Sequence, residues 1–249
     1  MGIKKRIWEI VEPAKPGDKL SHYFDIGLMA LIILNVIAVV VESVKSVEEQ
    51  YGDYFYLFET FSVIIFSLEY VARVWGCTLI ERFSHPLTGR IRYLLQPMVI
   101  IDLLAILPFY LPIFGIDLRV IRAFRLFRII RIFKLGRYSK AFQMLGKVLV
   151  GKKEEMTITI VALFFLIIIS ASLMFYAENE AQPEQFSSIP ATIWWSVVTL
   201  TTVGYGDVFP VTIFGKIIAG IISILGIGMV ALPAGIISAG FVEEMSKRK

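Results

Sequence analysis

Residues 119–137 read RVIRAFRLFRIIRIFKLGR, with a basic residue at every third position and almost only apolar residues between them. Steps of three along an α-helix advance about 300° each, so the cations form a slowly winding stripe and apolar residues cover the rest of the surface. The seven cations are Arg119, Arg122, Arg125, Arg128, Arg131, Lys134 and Arg137. The pattern predicts an α-helix with one charged face and one apolar face.

The composition indicates a chain that lies mostly in lipid. Hydrophobic residues make up 57% of its 249 residues and charged residues only 18%, which is unlike a soluble globular domain. Stretches long enough to cross a bilayer occupy residues 22–44, 54–77, 96–114, 156–177 and 211–239, and the basic stretch, at about 117–137, makes a sixth. We therefore expect an all-α membrane protein.

Cations inside a membrane need partners, because each costs about 2.5–3.5 kcal/mol at the bilayer centre. Glu59, Glu69 and Asp102 lie within neighbouring apolar stretches, where carboxylates are costly unless they face cations. The alternative is a basic amphipathic helix on the membrane surface. A turn near residues 112–117, on the side opposite to the other basic clusters, favours the inserted helix. Arg73, four residues after Glu69, is expected to extend from its helix end towards water.

The cations outside the basic stretch fall in four clusters that six alternating spans place on one side. The clusters are Lys4, Lys5, Arg6, Lys15 and Lys19; Arg82, Arg90 and Arg92; Lys140, Lys147, Lys152 and Lys153; and Lys247, Arg248 and Lys249. Cytoplasmic loops carry an excess of Lys and Arg, so we expect both termini in the cytoplasm and the protein in the cell (plasma) membrane. The basic charge thus reflects topology, and no nucleic-acid partner is expected.

Residues 187–200 are apolar and aromatic but too short to cross, and they lead into Thr-Thr-Val-Gly-Tyr-Gly-Asp at residues 201–207. This pattern predicts a re-entrant pore helix followed by the loop whose carbonyls form potassium selectivity filters. Gly204 and Gly206 permit backbone angles at which consecutive carbonyls point the same way. The expected K⁺ ligands are the carbonyl oxygens of Thr202, Val203, Gly204 and Tyr205 and the Thr202 hydroxyl, with Gly206 completing the filter. One chain cannot enclose such a pore, so a homotetramer is expected.

Nearly the whole chain resembles the voltage-gated potassium channels, in a minimal, prokaryotic-looking form. The family's pattern of an acid, an aromatic seven positions later and a second acid three further on matches Glu59, Phe66 and Glu69, and its third-helix aspartate matches Asp102. The resemblance implies a charge-transfer centre, in which Phe66 is a hydrophobic plug and Glu69 and Asp102 receive cations. The implied gating charges are Arg119, Arg122, Arg125, Arg128, Arg131 and Lys134, of which we favour residues 119–128 for crossing the field.

The resemblance also assigns support for the filter. Trp194, Trp195 and Tyr205 match family positions that form an aromatic cuff around it, with Asp207 as a polar support. An interfacial aromatic belt is the alternative explanation for the two tryptophans.

Gly226 and Pro233 are spaced like the hinge and lower bend of the family's inner helix, and Gly228 and Gly235 are further candidate hinges. Small-residue helix packing is the competing explanation for these glycines. The sequence Pro-Ala-Gly at residues 233–235 resembles the KCNQ-type subfamily rather than the commoner Pro-X-Pro pattern.

The expected architecture is a four-helix voltage-sensor bundle plus a two-helix pore domain with a re-entrant pore helix and a selectivity filter. It divides into a cytoplasmic segment (1–21), a sensor domain (22–137), a linker helix (138–153), a pore domain (154–245) and a cytoplasmic tail (246–249). The resemblance implies a voltage-gated K⁺-selective channel and no enzymatic reaction, with K⁺ in the filter and no organic cofactor. Expected partners are the homotetramer and anionic lipid headgroups near the basic linker, and the sequence names no auxiliary subunit.

Two other functions stay open at this point: a non-conducting or proton-permeable voltage sensor, and a channel gated by a cytoplasmic ligand. The sign of the voltage dependence is open as well, because the charge pattern alone does not determine how sensor movement is coupled to the pore.

Overall fold

The computed structural model describes residues 2–15, 17–114 and 125–247, and these contain α-helices, short 3-10 helices and loops but no strand. The α-helices are α1 (Ile3–Val11), α2 (Lys19–Glu42), α3 (Lys45–Gly76), α4 (Thr88–Leu94), α5 (Pro97–Tyr110), α6 (Leu135–Tyr138), α7 (Lys140–Gly151), α8 (Lys153–Glu178), α9 (Ile189–Leu200) and α10 (Ile213–Ser246). Among them α2, α3, α8 and α10 are long and apolar enough to cross a membrane, and the pair α4–α5, bent by 73°, is a further candidate span. The prediction of an all-α membrane protein is confirmed.

The spans expected at residues 22–44 and 156–177 correspond to α2 and α8, with ends within a few residues. The helix α3 begins at Lys45 rather than at residue 54, because the polar segment before the apolar run is also helical and places Glu48 in the first turn, where a carboxylate favours the helix dipole. The helix α10 likewise continues past residue 239 to Ser246 and runs uninterrupted through Pro233.

The basic stretch differs from its prediction. Its described part, Arg125–Lys134, is a 3-10 helix and not the expected α-helix. A 3-10 helix has 3.0 residues per turn, so side chains three positions apart eclipse each other. The three-residue spacing of the cations matches this period and aligns them in a straight row instead of a winding stripe. Arg119 and Arg122 lie outside the described residues.

The chain falls into two compact units, Met1–Gln143 and Met144–Lys249, with α7 beginning in the first and ending in the second. In the first unit, α2, α3, α5 and the basic 3-10 helix pack together around a core of Leu28, Ile32, Val63, Phe66, Ile106 and Tyr138. The Asp18 side chain caps α2 by accepting a hydrogen bond from the Ser21 N–H.

In the second unit, α8, α9 and α10 pack around a core of Met174, Phe186, Trp195, Leu200, Ile218 and Ile222. The helix α9 begins at a Ser188 cap with Pro190 in its first turn, both of which favour a helix start. Its 12 residues are too few to cross a bilayer, as predicted for a re-entrant helix. A loop then returns to α10.

Candidate functional site

Glu59 on α3 forms the first of two carboxylate sites in the first unit, together with two cations of the basic 3-10 helix. Its carboxylate lies 2.7 Å from Arg128 and 3.1 Å from Arg131, and Arg128 also reaches Glu42 at 3.1 Å. Arg131 is 1% exposed. A cation buried to this extent is stable only if its N–H groups are all hydrogen-bonded and its charge is paired.

Two neutral groups complete the hydrogen bonding of Arg131. Its Nη1 donates to the Asn35 side-chain oxygen at 2.8 Å, and its Nε donates to the Ala105 carbonyl at 2.9 Å. Asn35 is in turn oriented by donating from its amide to Ser62 Oγ at 2.9 Å. The guanidinium is therefore fixed between α2, α3 and α5.

Phe66 is fully buried, and Lys134 lies against its ring with Nζ 4.5 Å from the centroid. The same Nζ is 2.7 Å from Glu69 and 3.3 Å from Asp102. The sequence predicted that Phe66, Glu69 and Asp102 would surround a cation of the basic stretch, and the structure brings these side chains together around Lys134.

Glu69 and Asp102 bind two more cations, and we call Glu69, Asp102, Arg73, Lys134 and Arg137 the inner cluster. Arg137 lies 2.7 Å from Asp102, and Arg73 lies 3.0 Å from Glu69 and 3.1 Å from Asp102. The expectation that Arg73 extends towards water is wrong, because the residue is only 1% exposed. Charge pairing with two carboxylates outweighs hydration here, since both partners are themselves buried.

The cations follow an ordered path through the first unit. Glu42 ends α2, whereas Glu12 lies beside its start, where Ser21 Oγ donates to the Glu12 carbonyl at 3.3 Å. From the Glu42 end to the Glu12 end the paired cations are Arg128, Arg131, Lys134 and Arg137. A shift by one triplet, about 6 Å along a 3-10 helix, would bring each cation to its neighbour's carboxylates.

Sequence reasoning missed four contributors, namely Glu12, Asn35, Glu42 and Tyr138. Asn35 was detectable, because a single amide within an apolar span is costly unless it meets a partner. The Tyr138 hydroxyl accepts from Arg73 at 2.6 Å and donates to Glu69, and nothing in its sequence context indicates this. Arg125 belongs to the 3-10 helix, but its side chain lies outside the described part of the structure.

The loop after α9 has an alternating backbone. Thr202 (φ 61°), Gly204 (φ 61°) and Gly206 (φ 77°) are left-handed, and the residues between them are not. A left-handed threonine costs roughly 1–3 kcal/mol and persists only where the surroundings impose it. This alternation is the conformation expected if successive carbonyl groups point towards the same side of the loop.

The N–H groups and the carbonyl groups of this loop differ in their hydrogen bonding. The N–H groups of Val203 and Gly204 donate to the Val198 carbonyl at 3.0 and 3.3 Å, and the Thr202 N–H donates to Thr199. Among the described residues, no hydrogen bond reaches the carbonyl oxygens of residues 202–205. These oxygens are the candidate cation ligands. Within the described ranges, no group of three or more His, Cys, Asp or Glu side chains is arranged to hold a metal ion.

Three of the predicted supporting residues meet beside the loop. The Trp194 and Tyr205 rings stack at 5.9 Å with an interplanar angle of 7°, and Trp194 Nε1 donates to Asp207 at 2.8 Å. Trp195 instead lies in the core of the second unit, edge-on to Phe186 at 6.5 Å. The stacked pair and the carboxylate brace the side of the loop that faces α9.

Glu178, at the end of α8, was not predicted as part of the site. It is fully buried, and its carboxylate accepts from the Thr212 N–H at 2.9 Å, the Thr212 hydroxyl at 2.7 Å and the Val211 N–H at 3.1 Å. Glu178 therefore ties the segment that follows the loop to the span that precedes it.

The candidate hinge glycines differ in their surroundings. At Gly226, an added Cβ would lie 2.9 Å from the Leu200 carbonyl oxygen, so this glycine permits close packing of α10 against α9. Gly228 and Gly235 have open space around the same position. Packing thus accounts for Gly226, and a hinge there or at Gly228, Pro233 or Gly235 stays a prediction.

The helix α7 touches the end of α10 within the second unit. Lys152, just after α7, lies 2.9 Å from Glu243, and Lys147 lies 3.8 Å from Glu244. The hydrogen bond to Glu243 raises the pKa of Lys152, which is partly exposed at this surface. Val148 packs against Gly240, where an added Cβ would clash with the valine. The contact joins the predicted linker helix to the inner helix.

Comparison with known proteins adds the family. Residues 21–249 match the family described as ion transport protein. The chain is 34% identical over 97% of its length to a provisionally named potassium channel protein of Rhodopseudomonas palustris, of which it covers 58%. It is 35% identical over 96% to the potassium voltage-gated channel protein Shal of Drosophila melanogaster, covering 43% of that protein. It is 36% identical over 97% to the human A-type voltage-gated potassium channel KCND3, covering 37%.

The chain therefore spans between 37% and 58% of the length of these curated relatives. The match to the family includes most of the first unit, from residue 21 within α2, and the whole of the second. On the family match the chain belongs to the ion transport protein family, and the relatives named above are potassium channels.

Proposed function

We propose that this chain is the subunit of a voltage-gated, K⁺-selective channel through which K⁺ moves passively. The observation that carries the proposal is the alternation of left-handed residues at Thr202, Gly204 and Gly206 beside carbonyl oxygens to which no described group donates a hydrogen bond. Carbonyl oxygens presented in this way replace the hydration shell of K⁺. The reaction is transport alone and involves no chemical step.

The proposed K⁺ ligands are the carbonyl oxygens of Thr202, Val203, Gly204 and Tyr205, with no organic cofactor. In a single chain the loop is exposed, including 52% of Val203 and 68% of Tyr205. Irregular backbone at membrane depth is tolerated only where protein or a water-filled cavity surrounds it. Four copies arranged around the loop would provide both, so we infer a homotetramer.

The basic stretch is the proposed voltage sensor, with Arg119, Arg122, Arg125, Arg128, Arg131 and Lys134 as gating charges. Glu59, Glu69 and Asp102 provide counter-charges, and Phe66 separates the two sides. Each elementary charge that crosses a 100 mV potential contributes about 2.3 kcal/mol. Three or four charges in each of four subunits therefore supply tens of kcal/mol, enough to drive a gate.

The proposed topology places both termini in the cytoplasm and the protein in the plasma membrane. The Glu12 end of the first unit is then cytoplasmic, and Arg128 and Arg131 lie on the outer side of Phe66. A less negative cytoplasm drives cations outward, so we assign this arrangement to the depolarised position of the sensor. Anionic lipid headgroups near the exposed Lys140 and Lys147 are proposed neighbours.

The proposed division of labour follows the predicted boundaries, with the sensor at 22–137, the linker at 138–153 and the pore at 154–245. The ion pair between Lys152 and Glu243 and the contact of Val148 with Gly240 support transmission from linker to inner helix. Gly226, Gly228, Pro233 and Gly235 are the proposed positions at which α10 bends.

A flux assay in liposomes tests the pore assignment. The purified chain should release K⁺ but not Na⁺ from loaded liposomes, and Gly204→Ala should abolish the flux or its selectivity. Its matched control is Gly27→Ala, because neither glycine has an atom within 4 Å of an added Cβ and only Gly204 has a positive φ. Equal release of Na⁺ and K⁺ by the unmodified chain, or unchanged selectivity in Gly204→Ala, would contradict the proposal.

A further inference from the structure

Arg73 differs from the other cations of the inner cluster, because it belongs to α3 and not to the basic stretch. Its Nη1 pairs with Asp102 at 3.1 Å, and its Nη2 lies 3.0 Å from Glu69 on the same helix. Its Nε and Nη2 donate to the main-chain carbonyl of Val11, at 3.1 and 2.5 Å. The guanidinium is thus held from two directions, by the carboxylates and by the end of α1.

The helix α1 is itself fixed to α3 and its surroundings. The Trp8 ring meets Tyr93 edge-on at 6.3 Å, and it packs so closely on Gly76 that a Cβ there would clash with it. Lys4 Nζ donates to Thr78 Oγ1 at 2.5 Å. The Val11 carbonyl therefore has a defined position, although α1 precedes the family match, which begins at residue 21.

Ion pairs in this region join three carboxylates to three cations, and the buried Asp25 interacts with Arg73 as well. Glu69, Asp102 and Glu12 face Arg73, Lys134 and Arg137, with Glu12 at 3.9 Å from Arg137. When the basic stretch moves by a triplet, Lys134 and Arg137 are replaced by other cations of the row. Arg73 stays, because neither α3 nor α1 belongs to the moving segment. Every arriving cation then meets carboxylates that are already partly neutralised.

We propose that Arg73, held in place by α1, is a fixed counter-cation that limits how tightly Glu69 and Asp102 bind the mobile cations and so sets the speed of the sensor. This inference rests on the proposed function, since it requires that the basic stretch moves. Its physical basis is that removing a fixed positive charge a few ångströms from the carboxylates strengthens their hold on any other cation. A cation then leaves these carboxylates more slowly, whichever cation is bound and whichever way the basic stretch moves.

The test measures activation and deactivation time constants of K⁺ current from the full chain in planar bilayers. Arg73→Gln is expected to lengthen both, by about tenfold, which corresponds to roughly 1.4 kcal/mol on each barrier. Adding Asp102→Asn removes one negative charge and restores the wild-type net charge of the region, so the double variant should return towards the wild-type speed. A purely structural role for Arg73 predicts the reverse, because the second substitution would remove a further contact.

The part played by α1 is tested separately through Trp8. Trp8→Ala should loosen α1 and slow both activation and deactivation, to a smaller extent than Arg73→Gln. The matched control is Trp8→Phe, which preserves the edge-on ring contact. In the Arg73→Gln background, Trp8→Ala should add nothing, because α1 acts through Arg73.

The outcomes separate this inference from the function on which it rests. A wild-type current without voltage dependence contradicts the proposed function itself. A voltage-dependent wild type with unchanged time constants in Arg73→Gln, or a double variant slower than Arg73→Gln, overturns only the fixed counter-cation. If the Arg73→Gln variant does not assemble, the kinetics of the Trp8→Ala variant are the remaining test. Unchanged time constants in Trp8→Ala would then overturn the proposal.

Discussion

Lys134 occupies the position between an aromatic ring and two carboxylates, with Nζ 4.5 Å from the Phe66 centroid and 2.7 Å from Glu69. The ring face attracts the ammonium group, and both groups are removed from water. On the proposed function, this site would accept a cation from either side of the ring and exclude bulk water between the two sides. The carboxylates Glu59, Glu69 and Asp102 thus lie in series along one row of cations, and each could bind more than one cation of the row.

Lys134→Gln should move the voltage of half-activation to more positive potentials. In the depolarised position, the substitution removes a cation from Glu69 and Asp102. This position of the basic stretch therefore becomes less stable relative to the inward position. With three to four charges per sensor, each tenfold change in that equilibrium corresponds to roughly 15–20 mV. Current–voltage recordings measure the shift, with the exposed Lys45→Gln as control. A shift to more negative potentials would contradict the assignment of this position as depolarised.

Glu178→Gln should destabilise the pore half. The carboxylate accepts three hydrogen bonds from Val211 and Thr212, and an amide offers one acceptor fewer and adds donors that face N–H groups. Leaving a buried donor unpaired costs about 1–3 kcal/mol. Thermal unfolding in detergent should show a lower Tm than for wild type, with the exposed Glu184→Gln near wild type. Equal melting of the two variants would argue against a structural role for Glu178.

The residues that carry charge inside apolar spans were predictable, because a buried charge is costly without a partner. Glu59, Glu69 and Asp102 were found in this way, and each pairs with a cation in the structure. The filter at residues 202–206 stays a prediction. Arg73 was misread because its exposure depends on the end of α1, and tertiary proximity of that kind leaves no local signal. Glu178 was missed because its donors are main-chain groups about 30 residues away.

At the scale of elements, the basic stretch is the most informative. A three-residue repeat is compatible with an α-helix but coincides with the period of a 3-10 helix, in which all the cations share one face. The spacing therefore predicted that a charged face exists, but it is compatible with both helix types and did not determine which one forms. The lengths of α2 and α8 were predictable, because hydrocarbon thickness constrains them, whereas the polar ends of α3 and α10 were not.

A distance measurement tests the 3-10 assignment. Spin labels at residues 127 and 133, in a Cys77→Ala background, should lie on one face and about 12 Å apart along the axis, compared with about 9 Å in an α-helix. The matched control is a pair at residues 158 and 164 in α8, which are both exposed and equally far apart in sequence. Equal spacing in the two pairs would show that the basic segment is α-helical.

The attachment of α1 should depend on pH through Asp18. Arg6 donates to both oxygens of Asp18, at 2.6 and 3.2 Å, and this hydrogen bonding lowers the pKa of the carboxyl. Because the folded pKa is lowered, the stabilisation is present above the unfolded pKa of about 3.9 and is lost as pH falls through the lowered value.

Hydrogen exchange in nanodiscs measures this attachment. Protection of α1 amides, relative to those of α8, should fall below about pH 4 in the wild type. Asp18→Asn should show low protection of α1 at pH 6 already. A wild-type profile for Asp18→Asn would mean that the Arg6–Asp18 pair does not anchor α1.

At the scale of the molecule, the proposed function assigns the voltage sensor to the first unit and the pore to the second. The first contains a row of cations with alternative carboxylate partners, and the second contains an oxygen-lined loop that one chain leaves exposed. The match to voltage-gated potassium channels extends over both. The sequence predicts a role for each unit because each contains a local motif, and both roles stay predictions. The ion pairs that stabilise the units depend on contacts between distant segments.

The most direct test of the central claim is a planar-bilayer recording of the purified chain, with K⁺ on one side, Na⁺ on the other and voltage steps of both signs. We expect a current that reverses near the K⁺ equilibrium potential and whose open probability changes steeply with voltage. A current that does not distinguish K⁺ from Na⁺, or a selective current that is independent of voltage, would contradict it.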